Sequence, residues 1–529
     1  MALYPEVEAA SYDTRTFKEQ LKRVNELIAQ RAEELFDLPV TSTKDAIEHA
    51  LHTLPADLPQ DGIGLEATTD HLLSTISPAL MPGQAGPRTF GLVIGGVTPA
   101  AQLADMIVTS FDPCVQEATA SVAIESLTLS YLLSLLSLPP SIFTQNIITT
   151  GATASNLLGL SLGRDYTISA VKYRQGVESW SVPEQGFGGV GVDVFIADAH
   201  ASVKKAAALC GIGRANVIEL GDEAKERQSM IGCFDLEALE RRLRENWEEG
   251  RGSIVATSFG EVNTGAINSD TPQLRSLCDK YYAWLHIDAA FGAFATLHPD
   301  FAHYKPHLVL GDSITSDAHK WLNVPYDCGL FFSRQRQVNP SSTTTSLYEL
   351  TGPGKRAAAY LTSSSSSTSG EPAHPKLEET KKLQSPLFLN IENSRRFRAL
   401  PLYASLLSLG SRGYTSLIRR NISFARTVDA FLRAHPAYDV LAPPAMPVMN
   451  IVLFAPGVRA PSRFRVETPE NPDPAATFVA ALNRSNEIFV TPTVWRGRSA
   501  VRLAVSNWMT TEEREWAIVK RVLEKVMEE

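Results

Sequence analysis

Ser313-Ile-Thr-Ser-Asp-Ala-His-Lys-Trp-Leu-Asn-Val-Pro-Tyr-Asp-Cys-Gly329 sets one lysine, Lys320, between a histidine and a tryptophan. An amine in such a setting can be buried, lowered in pKa and made nucleophilic toward an aldehyde. A lone lysine is usually a solvated surface group, but Trp321, Leu322 and Pro325 flank this one. In Leu285-His-Ile-Asp288-Ala-Ala-Phe-Gly292, 32 residues upstream of Lys320, an apolar run ends on a carboxylate. An acid at a strand end suits a protonated pyridine nitrogen. The lysine and the acid describe the two ends of a pyridoxal 5′-phosphate site.

Around this pair, helical stretches alternate with short apolar runs from about residue 100 to 335. The strand candidates are Ile147–Thr150, Val194–Ala197, Val217–Leu220, Ile254–Thr257, Leu285–Ile287 and Gly329–Ser333. Leu274, Leu277, Cys278 and Tyr281 recur at the spacing of one buried helix face. The alternation predicts an α/β fold with a mainly parallel sheet covered on both faces, with its site beyond the carboxyl ends of the strands.

Four segments are expected. Residues 1–86 form an N-terminal arm, with one or two amphipathic helices over about 14–50 and a Pro/Gly-rich end at Ser77–Pro87. Residues 87–340 form the cofactor-binding domain. Residues 341–394, with Ser341–Ser346 and Ser363–Gly370, are too polar to pack a core and read as a mobile loop or linker. Residues 395–529 form a smaller α+β domain, with strands at Val448–Phe454 and Val501–Val505 and a terminal helix from Glu512 to Met527.

Composition bounds the function. A net charge of −9 and a pI near 5.8 argue against nucleic acid or an anionic membrane as partner. Five scattered cysteines without a CxxC pair suggest reduced thiols in the cytoplasm and no metal site. The N-terminus shows no basic region followed by an apolar core, so no secretory signal is expected. Leu127–Leu138 is too short and too rich in serine to span a bilayer; a buried or dimer-facing helix is expected.

Further residues complete the expected site. In Thr149-Thr-Gly-Ala-Thr-Ala-Ser-Asn156 a strand end turns into a helix start, a natural phosphate cradle with Thr153, Ala154 and Ser155 as contacts. Serine and threonine also begin helices as plain caps. His200 follows a strand and opens a helix, where an imidazole can stack on a pyridine ring or merely cap. Ala290 leaves room for a flat ring beside Asp288, and His319 stands beside Lys320 for the phosphate or the substrate.

With these residues in this order, the chain resembles the group II pyridoxal-phosphate-dependent decarboxylases, the family of aromatic-L-amino-acid, tyrosine and glutamate decarboxylases. The resemblance runs from about Pro87 to the C-terminus. It rests on His319–Gly329, His286–Gly292 and Ser394-Arg-Arg-Phe-Arg-Ala-Leu400. It implies fold type I, the aspartate aminotransferase-like fold, and a homodimer with the active site at the subunit interface. It also implies Lys320 as Schiff-base lysine, Asp288 as pyridinium partner and His200 as stacking residue.

Three positions depart from the family. Thr257–Gly265 lacks the usual Gly-Thr-Thr, and Gly86 stands where a histidine often precedes Pro-Arg. Pro386 and Phe388 occupy the place of a mobile-loop tyrosine, with Tyr348 and Tyr360 as the alternative candidates. The expected reaction is decarboxylation of an L-amino acid, aromatic by family preference, to an amine. The alternatives are decarboxylation-coupled oxidative deamination to an aldehyde, another Cα-bond cleavage, or a catalytically silent scaffold subunit.

Overall fold

The computed structural model describes residues 14–115, 119–222, 231–342, 344–352 and 385–528. Three helices lead the chain: α1 (Thr14–Glu34), α2 (Lys44–Thr53) and α3 (Gly64–His71). Thr43 caps α2 by accepting from the Ala46 N–H, which satisfies one of the donors a helix start leaves open. Arg88 fastens the arm to the far end of the chain, donating to the Phe36 carbonyl at 2.7 Å and meeting Glu515 at 2.8 Å in a buried ion pair.

The central sheet has seven strands: β1 (Gln145–Thr149), β2 (Val192–Ala197), β3 (Val217–Glu219), β4 (Gly252–Ser258), β5 (Trp284–Asp288), β6 (Ser313–Asp317) and β7 (Gly329–Ser333). Their order is β1-β7-β6-β5-β4-β2-β3; neighbours run parallel except for β7, antiparallel to both β1 and β6. Six helices accompany the sheet: α4 (Pro99–Phe111), α5 (Ser121–Leu136), α6 (Ala152–Arg174), α7 (Ala201–Leu209), α8 (Leu236–Glu249) and α9 (Thr271–Lys280). Every residue of β2, β4, β5, β6 and β7 is buried, as expected of strands covered on both faces. This is the α/β sheet expected from the sequence, with one strand more. Ser313–Asp317 carries hydroxyls where a central strand normally carries aliphatics, so it gives no apolar signal. Ser313 finds partners in Trp284 and His286, whereas the buried Thr315 Oγ1 has none among the described residues.

A second sheet follows, with β8 (Tyr438–Val440), β9 (Ile451–Pro456), β10 (Thr491–Trp495) and β11 (Arg498–Ala504) in the antiparallel order β10-β11-β9-β8. It packs with α10 (Ala399–Ala434), α11 (Pro474–Arg484) and α12 (Glu512–Glu528). The strand expected at Val448 begins at Ile451. The edge strands β8 and β10 escaped the sequence reading; one is three residues long and the other holds Pro492, which only an edge tolerates.

The stretch Ser341–Ser346 corrects another expectation. Ser342, Thr345 and Ser346 are buried. Ser342 Oγ accepts from the Val338 and Asn339 N–H groups, and Ser346 caps the short helix Leu347–Thr351, so their polarity is satisfied within the fold. Ser363–Gly370 and Tyr360 lie outside the described residues. The helix containing Leu127 buries Leu129, Leu132, Leu133 and Leu136 and leaves Leu127 and Tyr131 exposed.

The segment Ser394–Leu400 ties the two sheets together through its arginines. Arg395 pairs with Glu125 of α5, Arg396 with Asp105 of α4, and Arg398 with Asp327, seven residues beyond Lys320, each at 2.7 Å. The first pair has both side chains 1% exposed. Removing one charge from a buried pair leaves the other uncompensated, a destabilisation of about 3–5 kcal/mol. In urea unfolding Glu125→Leu is therefore expected to lower stability strongly, whereas Asp105→Ala, at an exposed pair, is expected to change it by less than about 1 kcal/mol.

Candidate active site

The carboxyl ends of four parallel strands converge on a cavity of about 430 Å³. β5 ends on Asp288, β6 on Asp317, β4 on Ser258, and β2 leads within three residues to His200. The turn after β1 closes one side, and Arg502 of β11 reaches in from the second sheet. This is where an open α/β sheet binds its ligands.

Lys320 stands on the single helical turn Ala318–Trp321 directly after β6. Its Nζ lies 3.1 Å from Asp317 Oδ2 and 6.0 Å from the centre of the Phe291 ring. Asp317 also accepts the Ala152 N–H at 2.7 Å, joining the lysine turn to the start of α6. This buried acid was not singled out from the sequence. Its position three residues before a candidate lysine was the available signal.

Asp288 is buried at the end of β5, the strand beside β6. Its Oδ2 accepts from Asn156 Nδ2 at 2.9 Å and its Oδ1 from the Ala290 N–H at 3.2 Å. His200 caps α7, its Nδ1 accepting from the Ser202 N–H, and it also lines the cavity, so capping and a role at the site coincide. Burial holds its pKa below the ordinary histidine value, against the opposing pull of Asp288.

Of the proposed phosphate contacts, Thr153 and Ala154 line the cavity and Ser155 does not. Ser155 is fully buried, with its Oγ 2.7 Å from Thr149 Oγ1 and its N–H donated to the Gly151 carbonyl, so both of its polar groups are spent inside the turn. Thr150, Gly151 and Ala152 take its place in the wall. Ala290 and His319 line the cavity as expected; burial lowers the pKa of His319, and its ring lies 4.6 Å from that of Tyr326.

Three further wall residues were missed. Ser258 supplies a hydroxyl at the end of β4 despite the absent Gly-Thr-Thr. Arg502 donates to the Val262 carbonyl at 3.1 Å, while its buried Nε has no hydrogen-bond partner. Tyr326 stands at the wall with its phenol pushed up to about 12 by burial and by Asp317. Tyr348 packs instead against Phe388, away from the cavity wall. Tyr326 was visible in the opening motif; an arginine on a distant strand carried no local signal. A second cavity, about 580 Å³ and walled by Leu27, Leu38, Leu73 and Met81 of the arm, adjoins the first across Ile94, His319 and Tyr326.

The pyridoxal-dependent decarboxylase conserved domain matches residues 48–350, more than half of the chain. The chain belongs to this family. It is a pyridoxal-phosphate-dependent decarboxylase of fold type I. Tryptophan decarboxylase 1 of Oryza sativa subsp. japonica is 24% identical over 484 residues, covering 90% of this chain and 87% of that one. A phenylacetaldehyde synthase of a Rosa hybrid cultivar is 23% identical over 525 residues, covering 96% and 94%. The crystal structure of Oryza sativa TDC with PLP and tryptamine superposes with a TM-score of 0.77 at 21% identity, covering 99% of this chain and all of that one. The residues present suit the cofactor: a lysine, a buried acid and a small-residue helix start surround one cavity.

Beneath this family member's cavity, burial pushes His286 down to about 4. The unfolded chain therefore binds a proton that the folded chain refuses, and stability falls as the pH drops from 6.5 toward 4, by about 3 kcal/mol. In urea unfolding at pH 6.5 and pH 4.5, His286→Phe is expected to lose most of this pH dependence relative to wild type.

Proposed function

We propose that the protein decarboxylates an aromatic L-amino acid to its amine, with Lys320 as the residue that holds and releases the cofactor. Asp288 faces the pyridine nitrogen, and His200 stacks on the ring. Thr153 and Ala154, with the turn at Thr150–Ala152, receive the phosphate, and His319 stands beside it. Bound there, pyridoxal 5′-phosphate supplies the electron sink for the pair left when the Cα–carboxylate bond breaks. Arg502 receives the substrate carboxylate, since a buried guanidinium with an unmatched Nε favours an anion. The side chain extends toward the apolar cavity beyond Ile94 and Tyr326. Together these assign residues 87–340 to the cofactor and residues 395–529 to closing the site.

The observation that carries the reading is Lys320 and Asp288 in the wall of one cavity at the ends of neighbouring strands. Tyr326 delivers the proton to Cα. A phenol is protonated at neutral pH, and with the residue more than half exposed it recovers the proton from solvent.

A cytoplasmic homodimer fits the remaining features. Leu58, Ile63, Leu103 and Phe111 are apolar and exposed on the arm and α4, a surface suited to a second copy. None of the five cysteines is in a disulfide, and among the described residues no helix is long and apolar enough to cross a membrane.

The aldehyde-forming reading is kept by Pro386 and Phe388 at the loop position and by the phenylacetaldehyde synthase among the relatives. Incubation with tryptophan, tyrosine, phenylalanine and 3,4-dihydroxyphenylalanine is expected to give CO₂ and the matching amine. Tyr326→Phe is expected to lower amine formation by about 10²-fold or more and raise the share of aldehyde, ammonia and peroxide. Wild-type protein that yields aldehyde and peroxide in place of amine would establish the second reading.

A further inference from the structure

One polar seam runs beneath the site and reaches its cavity only at Asp288, Ser202 and His200. Trp284, His286 and Asp288 alternate along β5, so all three face the same side, toward α6. That helix makes room for them with glycine. A Cβ on Gly163 would lie 2.9 Å from the Trp284 ring, and one on Gly159 would collide with the His286 ring. The hydrogen bonds across this interface form a continuous chain. Trp284 Nε1 meets Ser313 Oγ at 2.9 Å, and Ser313 Oγ meets His286 Nδ1 at 2.7 Å. His286 Nε2 meets Asn156 Oδ1 at 2.9 Å, and Asn156 Nδ2 reaches Asp288 Oδ2 at 2.9 Å and Ser202 Oγ at 3.0 Å. Ser202 Oγ lies 2.7 Å from His200 Nδ1.

The chemistry of the ends gives this chain one direction. An indole N–H can only donate, so Ser313 accepts from Trp284. Ser313 is fully buried, and its hydroxyl hydrogen finds its acceptor in His286 Nδ1. His286 thus carries its hydrogen on Nε2 and donates to the Asn156 oxygen. The Asn156 nitrogen then has both hydrogens committed, one to the Asp288 carboxylate and one to Ser202. Ser202 is left to donate to His200 Nδ1, which places the His200 hydrogen on Nε2. The opposite tautomer of His286 would set a lone pair against the Asn156 oxygen, or flip the amide and turn that oxygen on the carboxylate. The low pKa of His286 agrees with a ring that stays neutral throughout.

We propose that His286, which touches neither cofactor nor substrate, is a positioning residue: it fixes the Asn156 amide so that Asp288 is held toward the pyridine nitrogen and His200 presents its Nε2 hydrogen to the site. The inference rests on the assignment of Asp288 above. A role of this kind acts on the ring nitrogen specifically, whereas a merely structural role would weaken every ligand of the cavity alike.

The test compares pyridoxal 5′-phosphate with its carbocyclic analogue, which has C–H in place of the ring nitrogen. Dissociation constants are measured by equilibrium dialysis of the full chain reconstituted with each. Wild type is expected to prefer the natural cofactor. His286→Phe is expected to shrink that preference about tenfold or more, the effect of losing an oriented hydrogen bond to a charged group, with affinity for the analogue near wild type. Ser313→Ala, which frees the His286 tautomer with little change of volume, is expected to shrink it in the same direction and serves if His286→Phe does not fold. A preference that survives in the folded variants overturns the relay and leaves the Asp288 assignment standing. Equal binding of both compounds by wild type overturns that assignment and the inference with it.

Discussion

A carboxylate inside a protein is held by its donors, and here the hydrogen bond from Asn156 to Asp288 joins the sheet, its covering helix and the reaction centre. Burying an acid without donors is strongly unfavourable, so the position of α6 over β5 is a condition for an acid at this strand end. The same helix begins at the turn read as a phosphate cradle. One element therefore carries both the Asn156 amide that donates to Asp288 and the turn proposed to receive the phosphate. Shifting its register would move the cradle and unpair the acid together.

The other wall follows from strand order. β5 and β6 are neighbours and parallel, with Asp288 paired in register with Thr315. Asp317 consequently ends its strand two residues beyond the level of Asp288, and the turn that follows carries Lys320 to the cavity. Asp317 holds this turn against the first residue of α6. Arg398 holds its far end through Asp327 and brings the leading segment of α10 with it. Stability and site geometry thus share the same residues, and the charged groups around Lys320 are part of the scaffold as well as of the site.

The parts legible in the sequence were those with local patterns. Apolar runs marked the strands with aliphatic side chains, and the His-Lys-Trp and His-Ile-Asp motifs located the lysine and the acid. β6 escaped because Ser313, Thr315 and Ser316 are polar residues in a buried strand, and the partners of Ser313 lie on another element, β5. Ser155 appeared to face the phosphate because helix-start serines commonly do, yet its hydroxyl turns inward to Thr149. Arg502 lies far along the chain from Lys320, and its place at the site exists only once β11 has paired with β9. The His286 relay was invisible for the same reason. Its members come from β5, β6, α6 and α7, and their meaning lies in the direction of the hydrogen bonds between them.

The central claim is that Lys320 anchors the cofactor in the cavity bounded by Asp288. Borohydride reduction of the purified holoenzyme, followed by digestion and peptide mass spectrometry, tests it directly. The account expects the phosphopyridoxyl adduct on the peptide containing Lys320, and no fixed adduct in Lys320→Ala. An adduct confined to another lysine, or one retained at full yield in Lys320→Ala, would contradict it.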